Sequence, residues 1–280
     1  MMTSATGVPG LVEERAAGLR VLTGGEGPAV LLVHGLAGAP VNWIEVAPAL
    51  LAGHRVLAPD LPGHGASPAH AGGGAEAFAD ALAAVLERLE AAPAVVVGHS
   101  FGAHLALLLA RRHPALVGGL VLVAPTGIET RRRAARVVVL GSAVVRPGAR
   151  VAPLAPLLAG RAWFRAAVFS PWGVADAAAL SARATWAFLA DLRAHTGLRA
   201  AARAMLDDDP RQDLDGVRCP ALLLWGARDR QVPPRDGFEY ARRLGAPIRL
   251  VADCGHLLIG ERPEAVVDAV RAVAAARAAA

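Results

Sequence analysis

Gly98-His99-Ser100-Phe101-Gly102 is the stretch of this 280-residue chain whose residue types and spacing could most directly do chemistry. It follows the apolar run Ala94 to Gly98 and opens the helical pattern Phe101 to Arg112, which stops before Pro114. A serine at the tip of a sharp strand-to-helix turn takes a strained backbone conformation and presents its hydroxyl. Residues two before and two after it crowd each other, so both must be tiny, and Gly98 and Gly102 are. The turn aims the Phe101 N–H at a reacting carbonyl, and the helix start adds a dipole that favours an oxyanion. The competing reading is a chance G-x-S-x-G string in a glycine-rich chain. The flanking strand and helix patterns weigh against it.

A serine hydroxyl is a weak nucleophile until a base takes its proton. His256 follows the last strand-like run in Asp253-Cys254-Gly255-His256 and precedes the closing helix. The acid that orients such a base is expected between the serine and the histidine in chain order. Asp229, in Leu224-Trp225-Gly226-Ala227-Arg228-Asp229, lies directly after a strand-like run and supplies it. Other assignments are weaker. His99 adjoins the serine but points away from it at such a turn, and His104 lies inside the following helix. His54, His70, His113 and His195 stand in surface-like contexts. Asp253 is too near His256 in sequence to reach its far nitrogen. Asp60 reads as a loop tether through side-chain to backbone bonds, and Asp207 to Asp209 as a solvated charge run. His34-Gly35-Leu36-Ala37-Gly38 follows the first long apolar strand, and its Leu36 N–H is the expected second oxyanion donor. No Walker or G-x-G-x-x-G pattern is present and no cluster has metal-ligand spacing, so neither metal nor cofactor is expected.

These residues need a scaffold. Ala29 to Val33, Arg55 to Ala58, Ala94 to Gly98, Gly119 to Val123, Ala221 to Trp225 and Ile248 to Ala252 read as strands. They are short and apolar on both faces, as in a parallel sheet covered on both sides. Ala75 to Glu90 carries an apolar helical stripe, and Pro263 to Ala279 reads as a closing helix. A faint antiparallel hairpin precedes Pro28. Alternating strands and helices predict a doubly wound, mostly parallel α/β sheet with right-handed crossovers and a site at the strands' carboxyl ends. From about Thr126 to Asp215 the alternation breaks. That stretch is helical in character, punctuated by prolines, and too long for a plain loop. The expected organisation is a core of residues 1–125 and 216–280 with a helical cap inserted at 126–215.

The insertion concentrates bulky aromatics. Trp163, Phe164, Trp172 and Trp186 are the candidate lining of an apolar acyl pocket; the alternative is that they form the cap's own small core. It also carries the positive charge. The net charge is +5, every basic residue is Arg, and eight of them (131, 132, 133, 136, 146, 150, 161 and 165) lie between Glu129 and Asp176 with no acid among them. Such a stretch either steers anionic substrates or lipid, or lays Arg stems over apolar helix faces.

Composition excludes several classes. A 54% hydrophobic and 19% charged chain is globular, not disordered. No apolar run is long enough to span a membrane and no basic-then-apolar leader is visible, so a cytoplasmic protein without a transmembrane segment is expected. Two cysteines, Cys219 and Cys254, make no disulfide framework. No reading helix or aromatic-basic interleaving supports nucleic-acid binding. Oligomeric state is left open.

Taken together, LLVHGLAGAPVNW, VLAPDLPGHGAS, VVVGHSFGAHLALLLARRHP, LVLVAPTG, ALLLWGARDRQVPP and CGHLLIGERPEAV resemble the α/β-hydrolase superfamily, in its cap-bearing esterase and lipase branch. They occur in the family's order and cover most of the chain outside the insertion. The resemblance implies Ser100, Asp229 and His256 as a triad, with the Leu36 and Phe101 amides as oxyanion donors. A serine nucleophile sets the chain apart from haloalkane dehalogenases and epoxide hydrolases. Ala124-Pro125-Thr126 holds no acid, which removes the alternative acid position of some relatives. The implied function is hydrolysis of small-molecule carboxylic esters through an acyl-enzyme. Thioester hydrolysis, C–C bond hydrolysis and perhydrolysis use the same triad, and a ligand receptor can keep the same fold, because fold and triad do not fix the substrate.

Overall fold

The computed structural model describes residues 7–69, 74–128, 139–141, 147–190 and 194–279. Eight strands form one sheet: β1 (Val12–Ala16), β2 (Leu19–Gly24), β3 (Ala29–Val33), β4 (Arg55–Pro59), β5 (Ala94–His99), β6 (Val117–Val123), β7 (Ala221–Gly226) and β8 (Ile248–Val251). Their spatial order is β1-β2-β4-β3-β5-β6-β7-β8. The β1–β2 and β2–β4 pairs are antiparallel and all later pairs are parallel.

Successive residues of the central strands enter opposite cores. Leu31, Val33, Val96, Leu120, Leu122, Leu223 and Trp225 face one layer. It is built by α1 (Ala75–Arg88), α2 (Phe101–Arg112) and Tyr240. Val30, Leu32, Val95, Val97, Val121, Val123, Leu222 and Leu224 face the other, against Trp43, Val266 and Val270. Strands buried on both faces have no polar positions, which is why they read as unbroken apolar runs.

Between β6 and β7 the described residues form only helices and turns, among them α3 (Ala162–Phe169), α4 (Ala182–Leu189) and α5 (Leu198–Asp207). This insert is bonded to the loops at the carboxyl edge of the sheet. Asn42 donates from Nδ2 to the Ala187 carbonyl at 2.8 Å. The Thr196 and Gly197 amides donate to the Gly63 carbonyl at 2.9 and 2.8 Å. After β7, α6 (Pro234–Leu244) packs Tyr240 into the first core, and its hydroxyl donates to the Thr126 carbonyl at 2.7 Å. Helix α7 (Pro263–Ala278) closes the second face. Among the described residues no helix is long and apolar enough to cross a membrane. Cys219 and Cys254 are free thiols.

Helix α6 lacks an apolar run and buries Asp236 and Gly237; its marks in the sequence are Pro234 at its start, Arg242 and Arg243 in its last turn and the left-handed Gly245 just past its end. The charge run at 207–209 is not the solvated face its composition suggests. Asp207 is exposed, Asp208 is half-buried, and Asp209 is buried at 7% exposure, where its carboxylate caps the turn Pro210–Gln212.

Candidate active site

The sheet order reverses at β3, which lies between β4 and β5. The loops leaving β3 and β5 therefore diverge at the carboxyl edge and open a crevice, the standard ligand position in such sheets. Ser100 sits at its base, at φ 54° and ψ −118° between β5 and α2. The conformation is possible because its neighbours are bare. A Cβ on Gly98 would strike the Gly102 carbonyl, and one on Gly102 would strike the Val33 carbonyl. The Ser100 amide donates to Val123 O at 2.9 Å, which pins the elbow to the adjacent strand.

His256 lies in the loop after β8 and Asp229 in the loop after β7. Burial is nearly complete, at 4% and 5% exposure. His256 Nε2 is 3.1 Å from Ser100 Oγ, and His256 Nδ1 is 2.7 Å from Asp229 Oδ2. A carboxylate only accepts, so Nδ1 carries the proton and Nε2 is left to accept from the serine. The other Asp229 oxygen accepts the Gln231 and Val232 amides at 2.8 and 2.9 Å, which fixes the carboxylate. The His256 amide donates to Gly173 O of the insert at 2.9 Å.

The loop 34–38 lies against the serine. A methyl on Gly35 would stand 3.3 Å from Ser100 Cβ. Among the described residues no acceptor takes the Leu36 or Phe101 N–H. Three imidazoles fasten this loop. His34 donates from Nδ1 to Gly35 O at 2.8 Å and accepts the Leu61 amide at Nε2 at 3.1 Å. His64 Nε2 accepts the Ala37 amide at 3.3 Å. His195 donates from Nε2 to Ala37 O at 3.1 Å and accepts the Gly65 amide at 3.0 Å. Burial lowers the pKa of His34 to about 3 and that of His64 well below the ordinary value, so both rings are neutral. His195 is thus buried in the insert's contact with the loop 34–38, not at the surface as its sequence context suggests. His99 turns away from Ser100 and donates from Nε2 to the His256 carbonyl at 2.8 Å. Burial, and secondarily the neighbouring His256, brings its pKa to about 3. Asp60 accepts the Ala66 amide at 3.0 Å, the loop tether its sequence suggests, and also pairs with Arg20 at 3.1 Å. Asp253 is exposed and pairs with Arg228 at 2.6 Å.

Glu261 is a site residue that sequence reading misses. It is buried and accepts the Gly255 amide at 3.1 Å and the Ala175 and Asp176 amides at 3.0 and 3.3 Å. It therefore joins the His256 loop to the insert. Burial raises its pKa against the pull of these three amides. Glu261→Ala strands the buried Gly255 donor and two part-buried ones and is expected to cost about 1–3 kcal/mol, with kcat falling as His256 loosens. Glu261→Gln keeps one acceptor oxygen and should retain more of both. Urea unfolding and steady-state kinetics on the two variants measure this, and equal losses in both would contradict it.

Of the four aromatics, Trp163 is 62% exposed. Phe164 is buried with Ala155, Phe169, Val174, Leu180 and Leu189 in the insert's own core. Trp186 is half-buried between that core and the second sheet core. The Trp172 side chain lies outside the described residues. So do Arg131, Arg132, Arg133, Arg136 and Arg146. Arg150 and Arg161 are exposed, while Arg165 donates to the Ala177 and Ala159 carbonyls at 3.2 and 3.1 Å, holding the insert together.

Residues 28–263 match the family model described as the alpha/beta hydrolase fold. The chain belongs to the α/β-hydrolase family. This α/β-hydrolase is 36% identical over 244 residues to a pimeloyl-[acyl-carrier protein] methyl ester esterase of Aromatoleum aromaticum, covering 85% of this chain and 94% of that one. It is 29% identical over 252 residues to the sn-1-specific diacylglycerol lipase of Mus musculus, covering 87% and 80%. Among solved structures it resembles a bacterial membrane phospholipase A, with a TM-score of 0.73, 26% identity and coverage of 97% of this chain and 88% of that one.

Proposed function

We propose that this α/β-hydrolase cleaves carboxylic esters of small or medium apolar acyl groups through an acyl-enzyme on Ser100. The observation that carries the reading is the continuous hydrogen-bonded relay from Ser100 Oγ to His256 at 3.1 Å and from His256 to Asp229 at 2.7 Å. The relatives named an esterase and a lipase agree with it.

In the proposed reaction Ser100 Oγ attacks the ester carbonyl carbon as His256 Nε2 takes its proton. Asp229 keeps the ring in the useful tautomer and stabilises the imidazolium. Negative charge on the former carbonyl oxygen meets the Leu36 and Phe101 N–H groups, each worth roughly 3 kcal/mol in comparable sites. As the tetrahedral species collapses, His256 passes the proton to the departing alkoxide, which leaves as the alcohol. Water, deprotonated by the same nitrogen, then releases the acid and restores Ser100. The helices between β6 and β7 act as a cap, a role supported by their bonds to the Ala37, Gly63 and His256 loops.

A panel of p-nitrophenyl esters from acetate to decanoate, with an acyl thioester and a β-diketone alongside, tests the reading. Turnover of the shorter esters with release of the free acid is expected. A protein that turned over only the thioester or the diketone, or none of the panel, would overturn it.

A further inference from the structure

One turn beyond Ser100 on α2, His104 is fully buried. Its Nε2 stands 3.0 Å from Oδ2 of Asp208 and 3.6 Å from Oδ2 of Asp213. Asp208 follows the end of α5, and Asp213 follows the turn Pro210–Gln212. Each carboxylate commits its other oxygen to the protein. Oδ1 of Asp208 accepts the Asp209 amide at 3.0 Å, and Oδ1 of Asp213 accepts Arg111 Nε at 2.8 Å. The three remaining atoms, His104 Nε2 and the two Oδ2, are buried, converge, and have no hydrogen-bond partner.

A ring N–H aimed at a carboxylate this near would form a strong charge-assisted hydrogen bond. Here the Asp208 oxygen lies off the direction of the ring N–H, so that bond is poorly aligned although, against burial, the two carboxylates raise the pKa of His104, and the second ring nitrogen, Nδ1, is also without a partner. One ligand atom from each of His104, Asp208 and Asp213 lies within 4.8 Å of the other two, close enough for all three to reach a single ion. For an ion about 2.1 Å from each donor, the two separations subtend about 90° and about 120°, which are ordinary angles for four- to six-coordinate sites.

We propose that His104, Asp208 and Asp213 form a binding site for a divalent cation of the zinc class. One imidazole and two carboxylates are a donor set that Zn²⁺ and its first-row neighbours accept. Arg111, on the outer oxygen of Asp213, orients that ligand as outer-shell partners do. The ion would satisfy polar atoms that are costly to leave buried and unpaired. It would also tie the end of the insert to α2, whose first turn supports Ser100. The site is structural and independent of the ester-hydrolase reading. The competing occupant is a proton on His104, which would make the cluster a charged pair.

The test uses the whole protein. After chelation and gel filtration, ZnCl2 is titrated calorimetrically and thermal unfolding is followed with and without zinc. About one equivalent should bind, and Tm should rise by about 5 °C or more at about a hundredfold excess over Kd. Asp208→Asn and Asp213→Asn should each weaken binding at least about tenfold. Absence of binding and of any Tm response in the unmodified protein would leave the proton as sole occupant and overturn the site. Binding that both variants retain in full would place the ion elsewhere and overturn it equally.

Discussion

Ser100→Ala is expected to lower kcat/KM for a p-nitrophenyl ester by at least about 10⁴-fold with thermal unfolding nearly unchanged, and His256→Ala by a similar factor with some loss of stability, because the buried Asp229 loses its Oδ2 partner. The two losses should not multiply. Oγ and Nε2 are 3.1 Å apart and act as one relay, so the double variant should be about as impaired as either single one. Asp229→Asn is expected to cost about 10⁴-fold in kcat with little change in KM. Its Oδ1 can still accept the Gln231 and Val232 amides, but an amide nitrogen at the Oδ2 position would face Nδ1–H and favour the wrong tautomer. On the proposed mechanism the residual rate in each variant would come from the Leu36 and Phe101 amides, which these substitutions leave in place. A Ser100→Ala protein with undiminished ester hydrolysis, measured on material free of contaminating esterase, contradicts the assignment.

The second large effect is a steep loss of stability in mild acid. His34 and His99 have folded pKa values near 3, and His64 is also strongly lowered, all chiefly by burial. Their unfolded values lie near 6.5. As the pH falls below about 6.5, the unfolded chain takes up protons that the folded chain refuses, and stability declines until the folded values near 3 are reached. Each such ring contributes about 1.4 kcal/mol per pH unit across that window, so the three together approach about 4 kcal/mol per unit. Against a total of about 5–15 kcal/mol, the fold should be lost within two or three units. Asp80 and Glu45 have lowered pKa values and add to the loss only below their unfolded values, near the bottom of this range. Glu261, whose folded pKa is raised, takes up its proton earlier in the folded chain and opposes the loss, so above about pH 5 the slope is the imidazoles' loss less this gain. Denaturant unfolding at pH 7, 6 and 5 measures it, and an unchanged free energy across those three values would contradict it. Because the folded rings stay neutral through this window, the bonds that His34 and His64 make to the Leu61 and Ala37 amides persist in the folded molecules, and activity lost through these groups should track the folded fraction.

Much of this was legible in the residues. Ala29–Val33 and Phe101–Arg112 coincide with their sequence-read bounds, and β4 and β7 each extend one residue further. Parallel strands buried on both faces leave a plain apolar signature, and the elbow demands glycine at fixed offsets. Asp229 and His256 were legible because each directly follows a strand whose carboxyl end must face the crevice. What escaped depends on contacts made across the fold. Glu261 looks like a surface residue at a helix start until the insert covers it. His195 looks like a loop histidine until Ala37 and Gly65 meet its two nitrogens. His104 and Asp213 are 109 positions apart on the chain and carry no local spacing signature. Helix α6 presents a mostly polar sequence because one short face, centred on Tyr240, does its packing.

The most direct test of the central claim is to trap the nucleophile. The intact protein would be treated with a fluorophosphonate, its mass measured, and the modified peptide mapped. A single adduct on Ser100 is expected, formed rapidly in the unmodified protein and strongly slowed in His256→Ala. An ester-hydrolysing protein that carried no adduct, or carried it on another residue, would contradict it.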